Sequence, residues 1–330
     1  KALIVVPVEV GFHRRAFEIK RLEDPFDRFS NSRPRRSVME ISSRFVGSPL
    51  KPLDARITWR QTTNYAAALD DANPRYLDDS DPGGLVAPPM FAVAVTWPIS
   101  ERIPDFIETS DFPFEILATQ VHYTEHLEFF RLIRPDDRLT VQGRVAAILP
   151  HKAGTLMVLR YDARDEAGAP VFTEHIGGMM RGVRCTDDGA GAETLPETLP
   201  QPEPGDPLWE TRIRIERTAP FVYDGCTNIH FPIHTSVKFA REVGLPDIIY
   251  QGTATLALGV RDVIKREAGG DPERVRSIAC RFTGMVIPGS EIRVRLLESR
   301  SDGDRTHLFF SILNTEGKRA VSDGVVTLLR

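Results

Sequence analysis

Hydrophobic and polar positions along this chain fall into two series that run in the same order. In the first, Ile57 to Leu69 carries apolar residues at helical spacing, and the polar run DDANPRYLDD makes a turn in which Asn73-Pro74 opposes further helix. A second apolar helix follows in GGLVAPPMFAVAVTWP and is expected to stop at Pro98. Four strands come next, at Thr119 to Phe129, Arg138 to Ile148, Thr155 to Asp165 and Pro170 to Arg184. In the second series, Lys238 to Glu242 reads as a short amphipathic helix ended by Gly244 and Pro246. From Thr253 to about Ala268 the chain reads as a helix apolar on several sides, stopped by Gly269 and Gly270.

Pro74 in its polar loop is answered by Pro232, and the helix entered at APPMFAVAV by the one entered at YQGTATLAL. The turn RLIRPDDRLTV is answered by GMVIPGSEIRV, and EAGAPVFTEHIGGMMRGV by TEGKRAVSDGVVTLL, each a Gly-bearing hairpin followed by a last strand. Each half therefore predicts a helix, a loop, a central helix and four strands. Sequential strands on short turns form an antiparallel sheet, and a single apolar helix is what such a sheet wraps. The expected class is α+β, with two antiparallel sheets each wrapped around a central helix.

The acidic, Pro- and Gly-rich run 187–207 reads as a linker between domains at 45–186 and 208–330. Residues 1–44 form an extension: ALIVVPVEV is expected to be a strand, and Arg33, Arg35 and Arg36 suit either a surface crossing or a phosphate. Composition excludes more than it selects. With 41% hydrophobic residues, 27% charged and a net charge of -4 over 330 residues, nothing calls for nucleic acid or an anionic membrane as partner. Cys185, Cys226 and Cys280 are odd in number and form no CxxC, which argues against a disulfide scaffold or zinc site and sets the expectation of a cytoplasmic chain. In HYTEH, 122–126, the histidines would share one face of a strand about 13 Å apart, too far for one ion. No metal is expected, and there is no GxSxG elbow, P-loop or GxGxxG after a strand.

Candidate chemistry gathers between Tyr223 and Gly259. A polar stretch with Asn228, His230 and His234 leads to the entrance of the second central helix at Gln251, Gly252 and Thr253. A buried helix start needs partners for the N–H groups of its first turn, and Gly252 lets a ligand oxygen approach them. Each residue also has a purely structural reading. Gly252 suits tight helix-to-sheet packing, His234 a satisfied core histidine, and Asp71-x-Asn73-Pro74 an Asx turn.

FPIH at 231–234 and GLPDIIYQGTATLALG resemble the MaoC-like (R)-specific enoyl-CoA hydratases and dehydratases of tandem double-hotdog fold. NPRYLDD, GGLVAPPMF and RLIRPDDRLTVQG resemble the dehydratase-like N-terminal partner domain of that superfamily. The family motif is Asp-x-Asn-Pro-[Ile/Leu]-His, then His-Gly at the central helix. The resemblance implies that the Asp and His bracket a water adding to an enoyl thioester, while the Gly N–H polarises the carbonyl. His234 and Gly252 match, whereas Ile229, Phe231 and Gln251 replace the Asp, Asn and second His. The first half inverts this, keeping Asp71, Asn73 and Pro74 but placing Tyr76 where the His belongs.

The resemblance therefore implies a hydro-lyase acting on a CoA thioester, with no cofactor beyond the CoA of the substrate and a first half that shapes an acyl tunnel. Candidate catalytic residues are His234, Gly252 and Asn228; candidate substrate-binding residues are His230, Gln251, Thr253 and Asp71. Lys238, Arg241, Arg261 and Arg281 are available for CoA phosphates. Three accounts of the missing Asp stay open: Asn228 or His230 replaces it, Asp224 reaches back, or the site binds acyl-CoA and catalyses poorly. The rival function is an acyl-CoA binding or thioesterase hotdog protein, and association into a homodimer or larger homo-oligomer is expected.

Overall fold

The computed structural model describes residues 39–330 except Ser110. The expected strand ALIVVPVEV and the arginines at 33, 35 and 36 lie outside the described residues. The first half contains β1 (Glu40–Ile41), β2 (Pro49–Arg56), α1 (Trp59–Ala68), α2 (Pro74–Leu77), α3 (Phe91–Glu101), α4 (Ile103–Phe106), β3 (Gln120–Phe129), β4 (Arg138–His151), β5 (Gly154–Asp165), β6 (Pro170–Arg181) and β7 (Arg184–Cys185). The second half repeats the plan with β8 (Trp209–Arg214), α5 (Ala219–Thr227), α6 (Pro232–Thr235), α7 (Val237–Glu242), α8 (Gly252–Glu267), β9 (Val275–Phe282), β10 (Glu291–Asp302), β11 (Arg305–Leu313) and β12 (Arg319–Leu329).

Ten strands form one antiparallel sheet in the order β2-β4-β5-β6-β3-β9-β12-β11-β10-β8, and β1 and β7 make a small parallel pair. The two five-stranded sheets join along β3 and β9, so they run on as one surface rather than standing apart. Each half wraps its central helix, α3 or α8, and the whole is a double hotdog. Eleven residues of α8 are buried, from Thr253 to Ile264 on all its sides, as expected of a helix held in a curved sheet.

Each half puts five strands into the large sheet where four were expected. The missed strands, β2 and β8, are the two edges of the sheet. Pro49 and Pro52 disguise β2, and only an edge strand tolerates them, because a proline N cannot donate to a neighbour on both sides. Pro98 does not end α3, which runs on to Glu101; burial of Phe91, Ala92, Val93, Val95, Thr96 and Ile99 holds the helix through the missing bond. Residues 223–227, read as part of a polar stretch, belong to α5 (Ala219–Thr227), which packs on α1.

An internal twofold relation is visible residue by residue. Tyr65 stands eleven residues before Tyr76 and Tyr223 eleven before His234. These two tyrosines meet each other, hydroxyl to hydroxyl at 3.1 Å, with both rings fully buried. Asp70 and Asn228 are equivalent in the same way, and both are left-handed, at φ 50° and 56°, a conformation that Asn and Asp tolerate at a helix end. Ala87 N–H donates to Ile133 O and Tyr250 N–H to Val286 O, both at 2.8 Å, which aligns Pro88-Pro89 with Gln251-Gly252.

Leu127 and Ile278 face each other across the seam, both fully buried. Leu127→Ala is expected to cost about 2–5 kcal/mol. Because one continuous core spans both halves, urea unfolding read by fluorescence and circular dichroism should show a single shared transition; two separate transitions would contradict this.

Candidate active site

His234 sits in α6, a single turn opened by Pro232 at its first position, where a missing N–H costs nothing. Its ring is fixed by Nδ1, 2.9 Å from Ile249 O. A carbonyl only accepts, so Nδ1 carries the hydrogen and Nε2 is left with its lone pair. Burial lowers the imidazole pKa to about 4, opposed by that hydrogen bond, so the ring is neutral at pH 7. Ile249 lies three residues before Gly252, where α8 begins.

No side chain caps α8. Gln251 is buried and turned away, its Nε2 donating to Pro220 O at 3.0 Å, while the Thr253 hydroxyl meets the Tyr223 hydroxyl at 3.2 Å. Neither therefore serves the first-turn N–H groups, which carry the positive end of the helix dipole. A Cβ on Gly252 would lie 3.1 Å from Cδ1 of Phe282 and press on that ring, so glycine suits the packing there as well as access.

The other sequence candidates are not brought to His234. Asn228 is an exposed helix cap. His230 is more than half exposed and reaches Glu101 of α3 at 2.8 Å, while Trp97 Nε1 donates to its carbonyl, so this residue ties the halves together. Asp224 lies on α5, its carboxyl raised by burial and opposed by the nearby His230. Asp71 belongs to the equivalent place in the first half. It lines a cavity of about 10 Å³ with Tyr76, Pro88, Pro89 and the α8 residues Ala257, Val260, Arg261 and Ile264. Arg261 is nine residues beyond Gly252, about 13 Å along the helix. That first-half site is shut: the buried Tyr76 ring stands in the imidazole's place, and Pro88-Pro89 offer no N–H.

Of the cations proposed for phosphates, Arg261 is held by Leu69 O and Asp262, and Arg281 by Asp323. Lys238 is exposed on α7, beside the His234 turn, and Arg241 of the same helix lies 3.5 Å from Pro246 O.

HYTEH is a strand, but its histidines do not share a face. A bulge between His122 and Thr124 shifts the pairing with β6 and turns His122 to the side of Glu125, its Nε2 3.1 Å from Oε2. His126 points the other way, toward His175. A fifth of the His122 side chain reaches solvent, yet protein crowds the ring and burial lowers its pKa to about 4. Burial raises Glu125 to about 8, so the contact between them is one of neutral groups rather than an ion pair. Glu174 of β6 is likewise buried and raised, first by desolvation and then by Glu125. The two carboxyls face one another in the core, and a proton held by one lets it donate to the other. The signal was present in the sequence, because Glu125 shares its parity with Leu127 and Phe129, which face the core.

Residues 201–311 match the MaoC like domain and residues 44–174 the FAS1-like, dehydratase domain region. The chain belongs to the MaoC-like dehydratase family. The probable enoyl-CoA hydratase 2 of Dictyostelium discoideum is 20% identical to this MaoC-like chain over 286 residues, 86% of this chain and 95% of that protein. The peroxisomal multifunctional enzyme type 2 of Drosophila melanogaster is 26% identical over 212 residues, 63% of this chain but only 34% of that longer protein. Among solved structures, a MaoC-like dehydratase from Phytophthora capsici superposes with a TM-score of 0.74 at 21% identity, covering 87% of this chain and 98% of that one. The expectation of a cytoplasmic chain is overturned by the relatives whose names state a compartment, the Drosophila enzyme and the peroxisomal enoyl-CoA hydratase 2 of Arabidopsis thaliana. Free cysteines do not distinguish among compartments in which thiols stay reduced.

The Glu125 carboxyl ionises at a higher pH in the folded chain, about 8, than its ordinary value of 4.5. Its contribution to stability is therefore complete below about pH 4.5 and is lost as pH rises through about 8. Glu125→Gln should flatten the fall in thermal midpoint between about pH 6 and pH 9. An unchanged slope would mean that the carboxyl is not buried in the neutral form.

Proposed function

We propose that this MaoC-like chain is a hydro-lyase that adds water across the double bond of an enoyl-CoA, and removes it from the 3-hydroxyacyl-CoA in reverse. The observation that carries this reading is the neutral imidazole of His234, with Nε2 bare and Nδ1 locked to the carbonyl of Ile249, three residues before the uncapped start of α8 at Gly252. The names of the Dictyostelium and Arabidopsis relatives support the substrate class.

In this reaction the thioester oxygen accepts from the Gly252 N–H. Nε2 of His234 takes a proton from water as its oxygen bonds to C3, and the π electrons move toward the thioester carbonyl as an enolate. The positive end of α8 stabilises that negative charge where it develops. The proton on Nε2 then passes to C2 and the carbonyl reforms, so atoms and charge balance with a single acid–base group. Ile229 offers nothing to this chemistry, and no carboxylate hydrogen-bonds to His234 among the described residues.

Crotonyl-CoA tests the reading directly, with enoyl absorbance and free thiol followed together. Loss of absorbance without thiol release is expected; thiol release would mark a thioesterase, and neither change a binding protein. His234→Ala should lower kcat/KM by about 100-fold to 10,000-fold, and hydration left intact would remove His234 from the site.

The pH profile tests the same group. Because burial depresses the folded-state pKa to about 4, the base form persists well below the usual histidine value. Hydration should hold from about pH 8 to about pH 5 and fall as pH drops through about 4, whereas loss near pH 6.5 would indicate a solvent-exposed imidazole.

A further inference from the structure

A thioester whose carbonyl oxygen rests on the Gly252 N–H has its first acyl carbons within about 4–6 Å of that residue's backbone. That neighbourhood is occupied. The Phe282 ring lies so close over Gly252 that Cδ1, Cε1 and Cγ would stand 3.1, 3.3 and 3.6 Å from an added Cβ. The ring is itself backed by His122 from the first half, with centroids 4.5 Å apart. His122 is placed by the β3 bulge and held through Nε2 by Thr124 O at 3.1 Å, so this backing is not loose. The wall is thus built from both halves, Phe282 at the end of β9 and His122 near the start of β3.

We propose that Phe282, backed by His122, closes the acyl side of this site and restricts the chain to thioesters of short acyl groups. This deepens the proposed hydro-lyase and rests on that reading for the position of the carbonyl. A second barrier stands behind the ring. The inner face of the seam beyond His122 carries the Glu125 and Glu174 carboxyls beside its apolar residues, with the Tyr65 and Tyr223 hydroxyls nearby. An alkyl chain that pushed Phe282 aside would lie against polar atoms and give them no partner, an arrangement proteins avoid. A chain ending in a hydroxyl would supply one. Cavities of about 10 and about 190 Å³ border neither Gly252 nor His234, so neither of these extends the site toward an acyl tunnel.

The test compares kcat/KM for crotonyl-CoA, oct-2-enoyl-CoA and 8-hydroxyoct-2-enoyl-CoA in the wild type and in Phe282→Ala. Wild type should favour the four-carbon substrate over the eight-carbon one by about tenfold or more, the scale on which a filled pocket rejects added methylenes. Phe282→Ala should narrow that ratio at least about fivefold, with a larger gain for the hydroxylated chain than for the plain one. Equal rates on both lengths in the wild type would overturn the proposal, as would an unchanged ratio in a variant that folds. Phe282→Leu replaces the alanine variant should that one not fold. If the wild type hydrates nothing, the hydro-lyase reading falls on its own. Calorimetry with butyryl-CoA and octanoyl-CoA then decides the length question, with tighter binding of the short thioester supporting the wall and equal or tighter binding of the long one refuting it.

Discussion

Five residue pairs between β3 and β9, from Thr124 with Arg281 to Glu128 with Ser277, set the terms for the rest of the molecule. They turn two five-stranded sheets into one. Residues opposite one another on paired strands point to the same face, so Leu127 and Ile278 go inward together, and two positions away Glu125 and Cys280 must follow. The carboxyl is thus buried because its neighbours are apolar. Slipping the register by one residue would release it, but would also turn Leu127 to solvent, so the carboxyl stays in and gives up its charge instead.

The same backbone plan has been finished in two ways. At the entrance of α3 the chain places Pro88-Pro89, two residues without N–H groups, beside a buried tyrosine. At the entrance of α8 it places Gln251-Gly252 beside a neutral histidine. The left-handed helix ends at Asp70 and Asn228, the tyrosine pair and the matching bonds into Ile133 and Val286 persist in both halves, because they hold the crossing segments in place whatever the chemistry. Only the second entrance keeps donors free. The first half contributes His122 of β3, which acts on the site from across the seam.

Much of this was legible in the residues. Both central helices and the eight inner strands announce themselves by period and by branched side chains, since both kinds of element bury a continuous face. The edge strands do not, because an edge tolerates proline and charge: Pro49 and Pro52 in β2, two arginines and a glutamate among the six residues of β8. Spacing along the loop also proved a poor guide to position around His234. Asn228 and His230 are near it in sequence, yet a helix end and a contact with Glu101 carry them outward. Phe282 and His122 are distant in sequence and come close to Gly252 only through strand pairing and a bulge, neither of which a local pattern encodes.

His234 is oriented by a carbonyl and has Ile229 where the related motif has an Asp, and the lack of a carboxylate has a chemical direction. A peptide carbonyl fixes the tautomer but does little to steady the imidazolium, whereas a carboxylate does both. Burial without a countercharge leaves the ring with a pKa of about 4, a weak base whose conjugate acid is correspondingly strong. In the proposed reaction, removing the proton from water is the harder half and returning it to C2 the easier. The barrier must then be lowered mainly on the other side of the substrate, at the thioester oxygen. The fixed dipole of a sixteen-residue helix is already aimed there and needs no rearrangement as charge develops.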